Sequence, residues 1–158
     1  MAEASHKYLN AFIAEAMEHL EQLASELVRI EHEPLGGPLW DSIFRHVHSI
    51  KGSAATIGLP TIVEIAHVAE TLIGKLKAQR RRPERMQVDL LLQATDALVH
   101  QVRRASGAER APTSEAEQSG ALVERLSSAS SALPELALAA PAPKPAQKPV
   151  ADPSLPRR

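Results

Sequence analysis

The prolines of this chain divide it into segments that are long enough to form helices. Seven of the twelve prolines follow Ser131, and the other five lie between stretches of regular hydrophobic spacing. These five are Pro34, Pro38, Pro60, Pro83 and Pro112. Because proline lacks a backbone donor and clashes with the preceding helical turn, it is tolerated at helix starts and in connections but not inside a helix. The chain up to Ser131 is therefore predicted to form several uninterrupted helices.

Within these segments, apolar residues recur at intervals of three and four, which places them on one face of an α-helix. The stripes predict helices over about residues 5–32, 40–57, 60–79 and 84–105. A weaker fifth helix is expected to start at a capping box formed by Ser114 and Glu117 and to run to about residue 131. Short connections favour antiparallel neighbours, so the predicted fold class is all-α: an up-and-down antiparallel helical bundle with a four-helix core plus a fifth C-terminal helix.

Composition narrows the function classes. Apolar residues make up 44% of the 158 residues, enough for one core, and the aromatic content of 3% suits helices better than sheets. The absence of cysteine excludes disulfides, thiolate zinc sites and cysteine nucleophiles, and favours a cytoplasmic location. No secretory signal pattern and no apolar run of about 20 residues is found, so no membrane insertion is expected. A formal net charge of -1 gives no overall attraction to nucleic acid, so protein partners are expected.

The C-terminal segment has a different composition. Residues 132–158 are rich in alanine and proline and show no hydrophobic stripe. Such a segment cannot bury a helical face, so it is predicted to be an extended flexible linker that follows a domain at residues 1–131. Because a linker normally leads to another domain, the chain is expected to be a fragment of a larger multidomain protein.

Histidine is the main reactive residue type, and FRHVHSIKGSAATIG, residues 44–58, contains two. His46 and His48 lie about 90–110° from the centre of the apolar stripe on opposite sides, so both are expected to be half exposed. Because they point about 200° apart, they cannot hold one metal ion, and no metal site is predicted. The other histidines lack metal-ligand spacing and are expected on solvated faces or near helix ends; they include His6, His19, His32 and His100.

Gly52 lies one turn after His48, inside the second predicted helix. A glycine in a helix costs up to about 1 kcal/mol relative to alanine, so a compensating benefit is plausible. Without a side chain at this position another protein can approach the His48 ring, and Lys51 is placed to meet an anion carried by that ring. The alternative is that Gly52 only permits close helix packing.

The third predicted helix contains HVAE at residues 67–70. Since about two residues join it to the second helix, facing residues have numbers that add up to about 117 or 118. This register places Glu70 opposite His48, and His67 opposite Lys51. A carboxylate that accepts from Nδ1–H fixes the tautomer and leaves the Nε2 lone pair available as a nucleophile. An ordinary cross-helix histidine–carboxylate pair without a function is the alternative.

The segments FRHVHSIKGSAATIGL and IVEIAHVAETLIGKL, with the opening FIAEAMEHLEQL, resemble the histidine phosphotransfer (HPt) family. They are most similar to the amino-terminal P1 domain of CheA-type chemotaxis histidine kinases, because HSIKG is combined with a separate H-x-x-E. The resemblance covers about residues 5–105. The resemblance implies that His48 is phosphorylated, that Glu70 bonds to its ring, and that Lys51 and His67 form a supporting polar cluster. Free-standing phosphorelay HPt proteins usually lack the H-x-x-E pair and are the less favoured alternative.

The resemblance also assigns the surroundings of the phosphorylation site. Gly52, Arg45 and Ser49 flank it. Ser53 stands where many relatives have a second glycine, and Ile57 where phenylalanine is common. Both differences are expected to affect partner fit more than chemistry.

The partners follow from the same resemblance. It implies that the kinase catalytic domain of a CheA-type protein transfers the γ-phosphoryl group of ATP to His48, and that a CheY-like response regulator takes it onto an aspartate. The sequence shows no glycine-rich nucleotide-binding segment, no ATP-lid motif and no later dimerisation helices. The chain is therefore not expected to be an enzyme by itself or to bind a cofactor, because ATP and Mg²⁺ come with the partners. It is expected to be monomeric in isolation.

Two other classes of function are weighed against this one. General composition also fits a helical adaptor that binds partners without covalent chemistry. A basic cluster near the end of the third helix suggests nucleic acid, although a capping and solvating role at the helix terminus is favoured: Lys75, Lys77, Arg80, Arg81, Arg82 and Arg85. The aromatic residues fit the core or its edge better than a cofactor site: Tyr8, Phe12, Trp40 and Phe44.

Overall fold

The computed structural model of the protein describes residues 2–30, 32, 37–80, 82–107 and 115–133. These residues form five helices: α1 (Ala2–Arg29), α2 (Pro38–Ile57), α3 (Pro60–Gln79), α4 (Arg85–Ala105) and α5 (Glu115–Ser131). No strand is present in the described part of the chain. The all-α prediction is confirmed, and the predicted helix boundaries lie within one turn of those observed.

The connection between α2 and α3 sets the register of the functional hairpin. α2 ends at Ile57 and is capped by Gly58, whose φ of 76° lies in the left-handed region that glycine adopts without steric cost. The Gly58 N–H closes the helix on the carbonyl oxygens of Ala54 and Ala55. Pro60 then occupies the first turn of α3, where its missing N–H removes no helical hydrogen bond. The chain thus reverses over Gly58 and Leu59, and α3 runs back along α2.

The start of α4 uses a capping box that the hydrophobic pattern does not reveal. Glu84 and Gln87 form it, and the backbone N–H of Glu84 donates to Gln87 Oε1 at 2.9 Å. The capping box predicted for the fifth helix depends on Ser114, which lies outside the described residues.

Four helices form a ring around one core. α1 and α3 each pack on both α2 and α4, and α5 lies against α3 and α4. This arrangement confirms the predicted four-helix core plus a fifth helix. Burial of each large aliphatic side chain contributes about 1.5–3 kcal/mol relative to exposure, so the interior stabilises the bundle. The largest fully buried side chains are Leu20, Leu23, Leu27, Ile30, Ile43, Ile50, Ile65, Leu72, Ile73, Leu76, Leu98 and Leu126.

The aromatic residues occupy the predicted positions with one exception. Phe12 and Trp40 are buried, and Phe44 packs against the core at its edge. Tyr8, however, is 70% exposed, so its predicted core or core-edge position is wrong. It continues the stripe one turn before Phe12, but residues 6–8 are all exposed because the core does not reach this end of α1.

The described chain ends two residues after α5. Its last residue, Leu133, is buried against the core, so the packed region extends beyond the predicted domain boundary at residue 131. The rest of the predicted linker, residues 134–158, lies outside the described residues. Within the described ranges, no helix combines the length and the apolar character needed to cross a bilayer.

Candidate functional site

The α2–α3 hairpin brings His48 and Glu70 together. His48 Nδ1 lies 2.6 Å from Glu70 Oε1, at the register that the short connection predicts. An ionised carboxylate only accepts hydrogen bonds, so Nδ1 carries the proton and donates it. The side chain of His48 is 62% exposed, whereas that of Glu70 is 10% exposed. Glu70 therefore holds the imidazole on its protein-facing side. In the neutral ring, the lone pair of Nε2 remains on the side that faces solvent.

Lys51 completes the contacts of the carboxylate. Its ammonium donates to Glu70 Oε2, so each carboxylate oxygen has one partner. Burial by itself would raise the pKa of Glu70, but the hydrogen bonds from Lys51 and His48 outweigh burial and place the pKa below its ordinary 4.5. Glu70 is therefore an anion at neutral pH, in direct contact with the His48 ring.

Gly52 leaves open space next to this ring. It is exposed on α2, and a Cβ built at this position would meet no heavy atom within 4 Å. Glycine is therefore not required here for helix packing, which removes the alternative that the sequence left open. Of the other predicted flanking residues, Arg45 is exposed and Ser49 is half-buried on the same helix.

His67 lies beside the cluster without joining it. It is exposed on α3, one turn before Glu70. The register predicts that His67 faces Lys51, but the Lys51 ammonium binds Glu70 instead. Among the described residues, none forms a hydrogen bond or an ion pair with the His67 side chain. The structure thus brings together His48, Glu70 and Lys51, and leaves His67 at the adjoining surface.

Phe44 is a neighbour of His48 that the hydrophobic stripe does not single out. The two rings lie one turn apart on α2, with centroids separated by 6.1 Å and planes inclined by 15°. Lys77 of α3 places Nζ 5.5 Å from the centroid of the Phe44 ring. The i,i+4 spacing of Phe44 and His48 is the sequence signal that connects them.

His46 is buried, with 8% exposure, although helical geometry predicts that it is half exposed. α1 covers this flank of α2. His19 Nδ1 lies 2.9 Å from His46 Nδ1, so His19 is at an interhelical contact and not on a solvated face. Ser42 Oγ lies 3.2 Å from His46 Nε2 and donates to Glu26 Oε1 at 2.7 Å. The prediction is wrong because the geometry of one helix does not show which flank a neighbouring helix covers.

The His19 and His46 rings meet almost head-on. Their centroids are 5.1 Å apart, close to the nitrogen–nitrogen distance plus one ring radius on each side. An ion at about 2.0–2.1 Å from both nitrogens does not fit between lone pairs that point at each other, whereas a hydrogen bond between the rings does. In the part of the chain that the structure describes, no group of three or more metal-ligating side chains is placed to hold an ion.

The protonation state of His46 follows from its burial in the interface between α1 and α2. Burial lowers the pKa of His46 below its ordinary 6.5, and the attraction of Glu26 only partly offsets this effect. His46 is therefore neutral at neutral pH and belongs to the α1–α2 interface. Of the two histidines in HVH, His48 alone presents its ring to solvent.

Lysines near the end of α3 connect helices. Lys75 Nζ donates to the backbone oxygen of Ser130 in α5 at 3.0 Å, and Lys77 pairs with Asp41 of α2 at 2.5 Å. The sequence predicts only a capping and solvating role for these lysines, and both contacts go beyond that role. Lys75 and Lys77 belong to the basic cluster considered for nucleic-acid binding, so two of its cations are already engaged in contacts between helices. Arg81 lies outside the described residues.

Curated relatives are similar to more than half of the chain. The chemotaxis protein CheA of Listeria monocytogenes is 33% identical over 90 residues, which are 57% of this chain and 15% of that protein. The chemotaxis protein CheA of Treponema pallidum is 32% identical over 94 residues, 60% of this chain and 12% of that protein. The chain therefore spans a small fraction of the length of these relatives.

A solved structure shares the fold. The phosphorylated P1 domain of CheA3, in complex with CheY6 from R. sphaeroides, superposes with a TM-score of 0.69 and 20% identity. The match covers 81% of this chain and 98% of that chain. The likeness shows that both chains have the same helical architecture.

The family assignment comes from the match to the Hpt domain family. It covers residues 7–128, which include most of α1, all of α2, α3 and α4, and most of α5. His48, Lys51 and Glu70 lie inside the matched region. The chain therefore belongs to the Hpt domain family.

Proposed function

We propose that this chain is the phosphoacceptor and phosphotransfer domain of a two-component, chemotaxis-type histidine kinase. His48 accepts the γ-phosphoryl group of ATP from a separate kinase catalytic domain and passes it to an aspartate of a CheY-like response regulator. The observation that carries the proposal is the exposed His48 imidazole, whose Nδ1 is bonded to an ionised Glu70. Membership of the Hpt family and the similarity to CheA proteins support the same role.

In the first step the Nε2 lone pair of His48 attacks the γ-phosphorus. The N–P bond forms, the bond from phosphorus to the bridging oxygen breaks, and ADP leaves. The ring becomes cationic because the Nδ1 proton stays in place. Glu70 accepts a hydrogen bond from this N–H, and its negative charge offsets the positive charge that develops on the ring. Lys51 holds the second carboxylate oxygen.

In the second step an aspartate oxygen of the regulator attacks the same phosphorus. The N–P bond breaks, and the His48 ring returns to its neutral form with the proton on Nδ1. The domain supplies position and electrostatics, while ATP, Mg²⁺ and the remaining catalytic groups come with the partners. In this proposal the chain is a cytoplasmic substrate domain that is not an enzyme by itself and is monomeric in isolation.

The test uses a CheA-type kinase catalytic domain, radiolabelled ATP and a CheY-like regulator. We expect the wild-type chain to acquire acid-labile label that the regulator removes, and the His48→Gln variant to acquire none. His6→Gln, at an exposed position of α1, is the matched control and keeps the label. Label that persists in His48→Gln and disappears in His46→Gln or His67→Gln would move the site. An adaptor would keep its partner binding and signalling in His48→Gln.

A further inference from the structure

We infer that Phe44 is a positioning residue for phosphotransfer, which acts through the orientation of the His48 ring and is itself held by Lys77. This inference rests on the proposed function of His48. Phe44 adds a second constraint on the orientation of the imidazole, besides the hydrogen bond to Glu70.

The bond to Glu70 fixes the ring at one atom. His48 Nδ1 is held 2.6 Å from the carboxylate oxygen, but a single hydrogen bond still permits some rotation of the ring about the Cβ–Cγ bond, which tilts the ring. Tilting displaces Nε2, which lies on the other side of the ring from the carboxylate. Because transfer requires alignment of the attacking nitrogen with the phosphorus, a contact that fixes the plane of the ring affects the rate.

Phe44 supplies a contact of this kind. It lies four residues before His48 on α2, and side chains at this spacing share one face of a helix. The two ring planes differ by 15° and the centroids are 6.1 Å apart, an offset parallel arrangement. Tilting of the His48 ring loses this near-parallel arrangement with Phe44. Glu70 therefore constrains the ring from α3 and Phe44 constrains it from α2.

Phe44 is itself held on several sides. Its ring packs against the edge of the core, and Lys77 Nζ lies 5.5 Å from its centroid. Lys77 is anchored by Asp41, 2.5 Å away on the first turn of α2. Gly74 of α3 lies beside the ring, where a Cβ would be 3.5 Å from Phe44 Cε2, an ordinary contact distance. The ring is thus confined between α2 and α3.

The first experiment replaces the flat ring but keeps an apolar side chain of similar reach. For Phe44→Leu we expect kcat of phosphorylation by the kinase catalytic domain to fall about five- to tenfold, with KM for the chain unchanged, because alignment is lost while the docking surface is kept. Phe44→Tyr keeps the aromatic ring, so we expect this variant to have the kcat of the wild type. Lys77→Met keeps the aliphatic stem but loses the charge, and we expect a decrease of about two- to threefold.

A readout without kinase separates this inference from the proposed function. In the wild type we expect nuclear Overhauser contacts between the Phe44 and His48 rings and one set of His48 ring signals. In Phe44→Leu we expect the His48 signals to average over several ring orientations. If the wild type takes no label but the order of its His48 ring depends on Phe44, the proposed function fails, whereas the effect of Phe44 on the orientation of the ring is confirmed.

The matched control is Phe12→Leu, the same change at a buried phenylalanine of α1. It should lower the melting temperature without changing kcat or the His48 ring signals. Phe44→Leu with wild-type kcat and an ordered His48 ring would overturn the inference, as would equal losses of kcat in both leucine variants. If Phe44→Leu does not fold, the wild type and Lys77→Met provide the test. The inference is overturned if the wild type shows no nuclear Overhauser contacts between the two rings and the His48 signals of Lys77→Met are unchanged.

Discussion

The two nitrogens of the His48 imidazole have different surroundings, and this difference sets the chemistry of the site. Nδ1 is bonded to Glu70, and Nε2 is left on the exposed side of the ring. Burial of Glu70 favours its neutral form, but Lys51 and His48 keep it charged. A neutral group at position 70 would not attract the cationic ring that forms during the attack on phosphorus.

We expect Glu70→Gln to slow the phosphorylation of His48 by about tenfold or more, the size of effect typical for a carboxylate that orients a functional histidine. Glutamine keeps the shape of the side chain but carries no charge. The initial rate of labelling at saturating kinase domain measures the effect. Glu124→Gln, at an exposed position of α5, is the control with wild-type rate. An unchanged rate in Glu70→Gln would contradict the role given to this carboxylate.

At the scale of the elements, the hairpin of α2 and α3 carries the whole site, and its register could be predicted. Gly58 and Pro60 mark a connection so short that His48 pairs with the third helix near position 70, and Glu70 makes the contact. The stack of Phe44 on His48 could not be predicted from the stripe alone, because it depends on side-chain orientation at the edge of the core.

α2 contains Gly52 in its interior, at an exposed position where alanine would meet no obstacle. We expect Gly52→Ala to raise the free energy of unfolding by about 1 kcal/mol, since alanine is the better helix former. The same methyl group should slow transfer to the regulator, because it narrows the approach to the His48 ring. Urea unfolding and the transfer rate measure the two effects.

Gly120→Ala is the matched control for this substitution. Gly120 also lies in a helix with open space around it, but on α5, away from the site. We expect it to stabilise the chain to a similar extent and to leave transfer unchanged. Equal transfer rates in the wild type, Gly52→Ala and Gly120→Ala would show that accessibility is not the reason for the glycine.

At the scale of the whole molecule, the ring of four helices decides which histidine is reactive. α1 covers the flank of α2 that carries His46, and His19, Ser42 and Glu26 surround its ring. His48 lies on the other flank, where α3 supplies a carboxylate but leaves the ring exposed. The sequence places the two histidines symmetrically about the stripe of α2, so periodicity alone does not distinguish them. Gly52 and the register with Glu70 favour His48 from the sequence, and the assembly of the helices adds that His46 is covered.

The buried His46 makes the stability of the bundle depend on pH. Because its folded-state pKa lies below 6.5, the unfolded chain binds this proton more readily, and the free energy of unfolding falls as pH falls through this region. The pKa of Glu70 is also lowered, but its contribution is lost only as pH falls below 4.5. We expect urea unfolding to show a loss of stability between about pH 7 and pH 5, and a smaller loss in His46→Gln.

His6→Gln serves as the control for the pH series, because this residue is exposed on α1. It should keep the wild-type dependence on pH. Burial and, to a smaller extent, repulsion from the neighbouring His19 lower the pKa of His46, so His19→Gln should also reduce the dependence. Stability that stays constant or increases between about pH 7 and pH 5 in the wild type would contradict the burial of a neutral His46.

Identification of the atom that carries the phosphoryl group is the most direct test of the proposed chemistry. Nitrogen and phosphorus NMR of the chain, phosphorylated by a CheA-type kinase domain, identifies this atom. We predict a single phosphohistidine at position 48, with phosphorus on Nε2 and the proton on Nδ1 still bonded to Glu70. Phosphorus on Nδ1 of His48, or on the ring of His46 or His67, would contradict the geometry from which the function is proposed.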